Sequence, residues 1–272
     1  MAIITLTTDM GDRDFYVASV KGTILSKAPE ARIVDISHHI SPFDIAQASF
    51  VLKHVYKDFP KGTIHIIGVN PDRVKRSGPF DMRDEVAHVV ALYDGHYFIA
   101  ADTGIFSLLF DHAPESAFEI TILEADTFPV KHVFAPVATM LLHGTAMEEI
   151  GLPHEELRER AVFRPVIDQD MIKGTVIYID TYGNVITNID RELFEKVRME
   201  REFSIIFRSE EYEINEISKS YNEVPEGEKI ALFGSHGHLE IAINKGVEGS
   251  GGGASSLFGL KMNDTIRIEF RS

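Results

Sequence analysis

The chain has 272 residues, 44% of them hydrophobic and 25% charged, with 27 basic against 42 acidic side chains for a net charge of −15. That length is roughly two cores of ordinary size, and the composition is that of a globular chain rather than a disordered one. Zero cysteines exclude disulfides, thiolate catalysis and cysteine-ligated metal centres, and an acidic balance without a basic patch argues against nucleic-acid or anionic-membrane binding.

The first half alternates strand and helix. Residues 3–9, IITLTTD, read as a strand that ends in an acid. Residues 14–28 then place Tyr16, Val17, Val20, Ile24 and Leu25 at helical spacing. A short strand, RIVDIS (32–37), precedes a second helix expected over 43–59 after Ser41-Pro42, and TIHIIGV (63–69) is a third strand stopped by Asn70-Pro71. Two strands around Asp94-Gly95 form the strongest short hairpin signal. A helix over 105–111, a strand at 120–123 and a helix over 132–143 follow.

Residues 153–170 carry two prolines within a charged stretch and read as a linker between an N-terminal domain, 1–152, and a C-terminal domain, 171–272. The second half is strand-dominated: 171–180, 184–188, 203–207, 211–215, 229–233, 238–243 and 265–270, with one helix over 190–198. Alternating strand and helix followed by mostly strand implies an α/β domain, Rossmann-like in pattern, and a smaller β domain. The segment 246–256, GVEGSGGGASS, reads as a mobile surface loop; its glycines lack the order of a phosphate-binding loop. No run of about 18 apolar residues is present, and the N-terminus shows no secretory pattern, so neither a membrane-spanning helix nor export is expected.

Four loops carry polar groups fit for chemistry. In TTDMGDRDFYV (7–17), Asp9 ends the first strand, where parallel sheets bind ligands, and its carboxylate suits a ribose diol. Asp14 either caps the following helix or binds ligand. GVNPDRVKR (68–76) leaves the third strand at the same edge and, taken alone, reads as a solvated turn. DTFPVKHVFAPVA (126–138) places Lys131 and His132 where a helix is expected to begin, as a cap, a surface pair or an acid–base group. In the second half, YIDTYGNVITNI (178–189) offers an acid, an aromatic and two amides, and GSHGHLEIAIN (234–244) offers a Ser-His-Gly turn. The adjacent pair His38-His39 points to opposite faces and is not expected to share a metal, and no metal site is expected elsewhere.

In order, TTDMGDRDFYVASVKG, VDISHHISPFDIAQA, PKGTIHIIGVNP, ADTGIFSLL, TFPVKHVFAPVA, YIDTYGNVITNI and GSHGHLEIAIN resemble the S-adenosylmethionine hydroxide adenosyltransferases, a family that includes fluorinating and chlorinating enzymes. The resemblance runs from about residue 3 to 268; its first and sixth motifs are the specific ones. It implies an N-terminal α/β domain, a C-terminal β-barrel-like domain, and a cytoplasmic homotrimer with each site shared between subunits. It implies displacement at the 5′ carbon of the adenosyl group, with S-adenosylmethionine as substrate and no metal or redox cofactor.

By the same resemblance, Asp9 is the ribose-binding acid. Asp14 and Tyr16 lie near the methionine portion, Phe43 lines the pocket, and Phe128 belongs to a Thr-Phe pair beside the nucleophile. Asp180 meets the methionine ammonium, Tyr182 and Asn184 surround the adenine, Ser235 lies near the methionine carboxylate, and His236 replaces an Arg common in the halogenases. The chain departs from the pattern at the water-activating trio. Asn70 stands where typical hydrolases carry Asp, and Pro129 stands where they carry His. Arg73 and Arg76 are both candidates for their Arg, and His132 lies three places after the missing His. The expected reaction is hydrolysis of S-adenosylmethionine to adenosine and methionine. The alternatives are a halogenase-like use of chloride and a non-catalytic adenosyl-binding protein.

Overall fold

The structure, a computed structural model, describes residues 3–74, 85–122, 127–161, 163–246 and 252–271. The chain divides into two compact units, Met1–Ala161 and Val162–Ser272. Among the described residues, no helix is long and apolar enough to cross a membrane.

The first unit runs β1 (Ile3–Thr8), α1 (Tyr16–Lys27), β2 (Arg32–Ser37), α2 (Ile45–Lys53), β3 (Ile64–Gly68), β4 (His88–Tyr93), β5 (His96–Ala101), α3 (Ile105–Leu109) and β6 (Ser116–Ile120). A π-helical turn (Val130–Phe134), α4 (Ala135–Leu142), α5 (Met147–Ile150) and β7 (Gly151–Pro153) complete it. The sheet order is β2-β1-β3-β5-β4-β6-β7. The β2, β1, β3 and β5 neighbours pair in parallel, and the β5–β4, β4–β6 and β6–β7 pairs are antiparallel.

Alternation along the strands sends side chains to two cores. Ile64 and Ile66 join Val20, Ile24, Val137 and Leu141 under α1 and α4. Ile67, Val89, Ala91 and Phe98 join Leu52, Ile105 and Phe106 under α2 and α3. After β1 the chain crosses to β2 on one side, and β3 then pairs with the other side of β1. The strand order therefore reverses at β1/β3, and open α/β sheets bind ligands beyond the carboxyl ends of the strands at such a switch point.

Several boundaries differ from the sequence expectation. The second helix spans only Ile45–Lys53, because the Asp44 side chain caps it by accepting the Gln47 N–H at 2.9 Å. The strand expected at 120–123 lies at Ser116–Ile120, where its neighbours β4 and β7 supply partners. Helix α3 stops at Leu109, two residues short of the expected end. The hairpin at Asp94-Gly95 is present, with φ of 51° and 72°, as a type I′ turn requires.

In the second unit, β8 (Val166–Asp168), β9 (Met171–Ile179), β10 (Val185–Asp190), α6 (Arg191–Arg198), β11 (Glu202–Phe207) and β12 (Ser209–Ile214) are followed by β13 (Lys229–Phe233), β14 (His238–Ile243), α7 (Ala254–Phe258) and β15 (Thr265–Arg271). The strands form one sheet, ordered β12-β11-β15-β9-β10-β14-β13 with β8 on β9, curled as a half-barrel. Phe194 of α6 is fully buried against Phe203 and Phe233. Residues 254–258 are helical, so the glycine-rich segment is not all loop; residues 247–251 lie outside the described part.

Candidate active site

Asp9 leaves β1 at the switch point. It is half-buried, and its Oδ2 accepts the Phe43 N–H at 2.9 Å. Among the described residues its other oxygen has no partner, which leaves one acceptor for a ligand. Phe43 has φ of 65° and is 69% exposed. A bulky residue in left-handed backbone is a strained position of the kind that clusters at binding sites. Phe15 and Tyr16 are also exposed nearby in sequence, at 68% and 42%.

Asp14 does not cap α1: Phe15 is the residue at the helix start, and no side chain caps it. Asp14 itself is exposed. Tyr16 opens α1 and meets the Phe128 ring edge-on at 5.5 Å, and Phe128 lies 6.1 Å from the His132 ring. These three rings form a row at the mouth of the sheet's carboxyl edge.

His132 does not begin a helix. It lies inside the π-helical turn, its N–H donating to the Phe128 carbonyl at 3.0 Å, so that N–H is not open to an anion. π-Helical turns recur at functional sites, and this one carries Lys131 and His132 side by side. A close approach fixes the turn against the strands: a Cβ on Gly68 would sit 2.9 Å from Val130 Cγ2 and 3.2 Å from Thr8 Cγ2. Only glycine there lets β1, β3 and the turn converge.

Asn70 follows two residues later, half-buried, with φ of 46°. Asn tolerates left-handed backbone better than most residues, so this residue has a turn role at the carboxyl end of β3. The following carbonyl, Pro71, accepts a hydrogen bond from Nε2 of His88 at 2.8 Å. Burial pushes the His88 pKa down to about 4, so it is a neutral donor that anchors the loop. Arg73 is bound elsewhere: its guanidinium pairs with Glu119 and reaches the Ile120 carbonyl at 3.4 Å. Arg76 lies outside the described residues.

In the second unit, Asp180, Tyr182 and Asn184 share one turn. Asp180 Oδ1 accepts the N–H groups of Tyr182 and Asn184, both at 2.9 Å, and Oδ2 accepts the Asn184 amide at 3.0 Å. The Asn184 amide therefore braces Asp180, and Asn184 is only 6% exposed. Tyr182 is 62% exposed and presents an open aromatic face. Gly183 and Gly253 pack backbone to backbone, with a Cβ on Gly253 falling 2.2 Å from the Tyr182 carbonyl.

Burial raises the Asp180 pKa against the opposing Asn184 hydrogen bonds, and the charge of Glu240 adds to the rise. Glu240, 3% exposed, accepts the Tyr221 hydroxyl at 2.5 Å and meets His236 Nε2 at 3.2 Å. His236 Nδ1 accepts the His238 N–H at 3.1 Å, so both its ring nitrogens are engaged within the domain. Ser235 is exposed at the adjoining turn. Neither Glu240 nor Tyr221 stood out in the sequence, because an alternating strand acid and a loop tyrosine have ordinary surface explanations.

Residues 4–151 match the SAM hydroxide adenosyltransferase N-terminal domain, and residues 174–267 match the C-terminal domain. The chain belongs to the SAM hydroxide adenosyltransferase family. Among similar members, a protein of Methanocaldococcus jannaschii named (R)-S-adenosyl-L-methionine hydrolase is 29% identical, over 88% of each chain. One of the same name from Thermus thermophilus is 28% identical, over 98% of this chain and all of the other. A fluorinase of Nocardia brasiliensis is 29% identical over 72% of this chain and 73% of its own. A solved structure of an uncharacterized conserved protein from Thermotoga maritima superposes with a TM-score of 0.82 at 28% identity, covering 98% of this chain and 99% of that one. The motifs at residues 7–17 and 178–189 fall within the two matched domains, the first at the carboxyl end of β1 and the second at the Asp180 turn.

Proposed function

We propose that the protein hydrolyses S-adenosyl-L-methionine to adenosine and L-methionine. The observation that carries this reading is Asp9 at the switch point of the sheet, with one carboxylate oxygen held by Phe43 and the other available to a ribose diol. Family membership and the hydrolase relatives support the same substrate.

The chemistry asks little of the protein. Water attacks the 5′ carbon as the carbon–sulfur bond breaks, and the bonding pair leaves with sulfur as a neutral thioether. The attacking water sheds one proton. Catalysis then needs an oriented, poorly solvated water more than a strong base. The Asn70 amide can orient water but cannot take its proton, which leaves His132 or bulk water as acceptor. General-base help is worth about 10²–10⁴-fold, so Asn70 in place of an acid implies a slow enzyme and not an inert one. The reaction balances without metal or redox cofactor, and we assign none.

The exposed rings of Phe15, Tyr16 and Phe43 suit a surface covered by a neighbouring subunit, and we assign a homotrimer with Asp9 and Tyr182 of different subunits facing one ligand. The enzyme's place is with its substrate, in the cytoplasm. Asn70 also favours a second reading, a binding protein that keeps the adenosyl pocket without turnover. Incubation with S-adenosylmethionine, with and without chloride, followed by product identification separates the readings. Adenosine and methionine in both conditions support hydrolysis; 5′-chloro-5′-deoxyadenosine or unchanged substrate overturns it.

A further inference from the structure

We infer that His38 is the positioning residue of the segment that carries Asp9, gripping it through Thr8 and Gly11. The inference rests on the reading of Asp9 as the ribose-binding acid. His38 is 8% exposed, whereas the adjacent His39 side chain is 71% exposed. The two rings do point to opposite sides, and the inward one meets the catalytic edge of the sheet.

His38 makes two hydrogen bonds and one close contact with a carboxylate. Its Nδ1 lies 2.8 Å from Thr8 Oγ1, its carbonyl accepts the Gly11 N–H at 2.7 Å, and its Nε2 lies 3.0 Å from Asp35 Oδ1. The first two fall on either side of Asp9, so one residue holds both ends of a turn that includes left-handed Gly11, φ 66°. Nearby, the Ile40 N–H donates to the Thr8 carbonyl at 3.3 Å, and the Phe43 N–H donates to Asp9 itself. Residues 38–43 thus form a clamp along residues 8–11.

The clamp continues on both sides of the ring. The Met10 N–H donates to Thr8 Oγ1 at 3.4 Å, and the same hydroxyl pairs with His38 Nδ1 at 2.8 Å. His38 Nε2 faces Asp35 Oδ1 at 3.0 Å as a close charged contact without hydrogen-bond alignment. Asp35 in turn accepts from Lys21 at 2.6 Å. Burial opposes the charge on Asp35, but Lys21 and His38 outweigh it and hold the carboxyl below its ordinary value. A carboxylate at the far end makes the ring's orientation one-sided, and the ring's orientation sets Thr8. Nothing in the geometry puts His38 on a ligand. Its effect is exerted through the Asp9 carboxylate.

Adenosine binding by calorimetry tests this without depending on turnover. His38→Gln keeps a group near Asp35 and loses the Thr8 contact; His38→Asn does the reverse. Thr8→Val removes the same bond from its other side. We expect His38→Gln and Thr8→Val each to weaken adenosine binding about tenfold, the scale of one buried hydrogen bond, and His38→Asn to stay within about threefold of wild type. In an Asp9→Ala background, His38→Gln should cost nothing further, because the group it positions is gone. His39→Ala should bind as wild type does. Equal losses from His38→Gln with and without Asp9, or no loss in either, overturn the inference, and thermal melting identifies any variant that merely unfolds. If wild type binds no adenosine, the functional reading fails and carries this one with it. If wild type binds and the cycle is additive, only the role of His38 fails.

Discussion

Asp9 and Phe43, 34 residues apart in sequence, hold one another: the carboxylate fixes the Phe43 N–H at 2.9 Å, and Phe43 keeps a left-handed backbone with its ring exposed. A strained aromatic beside a half-buried acid is a costly arrangement for a surface loop and a useful one for a ligand pocket. Losing a charged hydrogen bond to a ligand costs about 1.5–3 kcal/mol, so Asp9→Ala should weaken adenosine binding roughly ten- to a hundredfold. Phe43→Gly should keep the N–H bond and relieve the backbone, so its melting temperature should not fall, and any lost affinity belongs to the ring. Calorimetry and thermal melting on both variants check this. Unchanged affinity in Asp9→Ala removes Asp9 from the site.

Gly68 has little room for a methyl group: a Cβ there would lie 2.9 Å from Val130 Cγ2 and 3.2 Å from Thr8 Cγ2. Gly68→Ala should lower stability by about 1–3 kcal/mol and reduce turnover, because the π-helical turn bearing Lys131 and His132 must move. Val130→Ala in the same chain opens the space and should recover part of both. Urea midpoints and initial rates on the single and double variants decide it, and a single variant with wild-type values contradicts the account of this contact.

Asn70 and His132 separate two versions of the chemistry. If the site is the family's with its acid weakened, Asn70→Asp raises turnover by roughly 10²-fold or more, while His132→Ala changes little. If His132 has taken over the proton, His132→Ala lowers turnover by a similar factor. Initial rates with S-adenosylmethionine distinguish them. No change in either variant means that neither residue handles the attacking water.

Acid should destabilise the first unit through two buried histidines. His65 bonds Thr5 Oγ1 at 2.7 Å and His96 at 3.3 Å inside the sheet layer. Burial, with His96 nearby, pushes the His65 pKa down to about 3, and burial also lowers that of His96. The unfolded chain takes up protons at these residues below about pH 6.5, where the folded chain does not. Their contribution is therefore whole above that pH and is lost as pH falls, for His65 down to about 3 at up to about 1.4 kcal/mol per pH unit. His65→Gln removes one such group. Its urea midpoint should fall less than that of wild type between about pH 7.5 and about pH 5. Equal falls in both contradict the assignment.

The strands and the family motifs were legible because their signals are local. Residues 32–37, 229–233 and 238–243 are short β-rich runs and form strands where expected, and Asp94-Gly95 turns as its sequence dictates. The place of Asp9 directly after β1 was readable because the β-rich run IITLTT closes on an acid. The rest depends on partners far along the chain. Arg73 is captured by Glu119, 46 residues away, and no nearby residue announces it. The π-helical turn answers to the approach of Val130 to Gly68, not to any periodicity. His38 looked idle beside His39, because its partners Thr8 and Gly11 come to it only once β1 and β2 are paired.

The central claim, water attacking the adenosyl 5′ carbon, is tested most directly by turnover in water enriched in heavy oxygen with mass analysis of both products. The account predicts adenosine carrying the heavy atom in its 5′ hydroxyl and methionine carrying none. Adenosine without the label, a 5′-halogenated nucleoside, or no product above the uncatalysed background would contradict it.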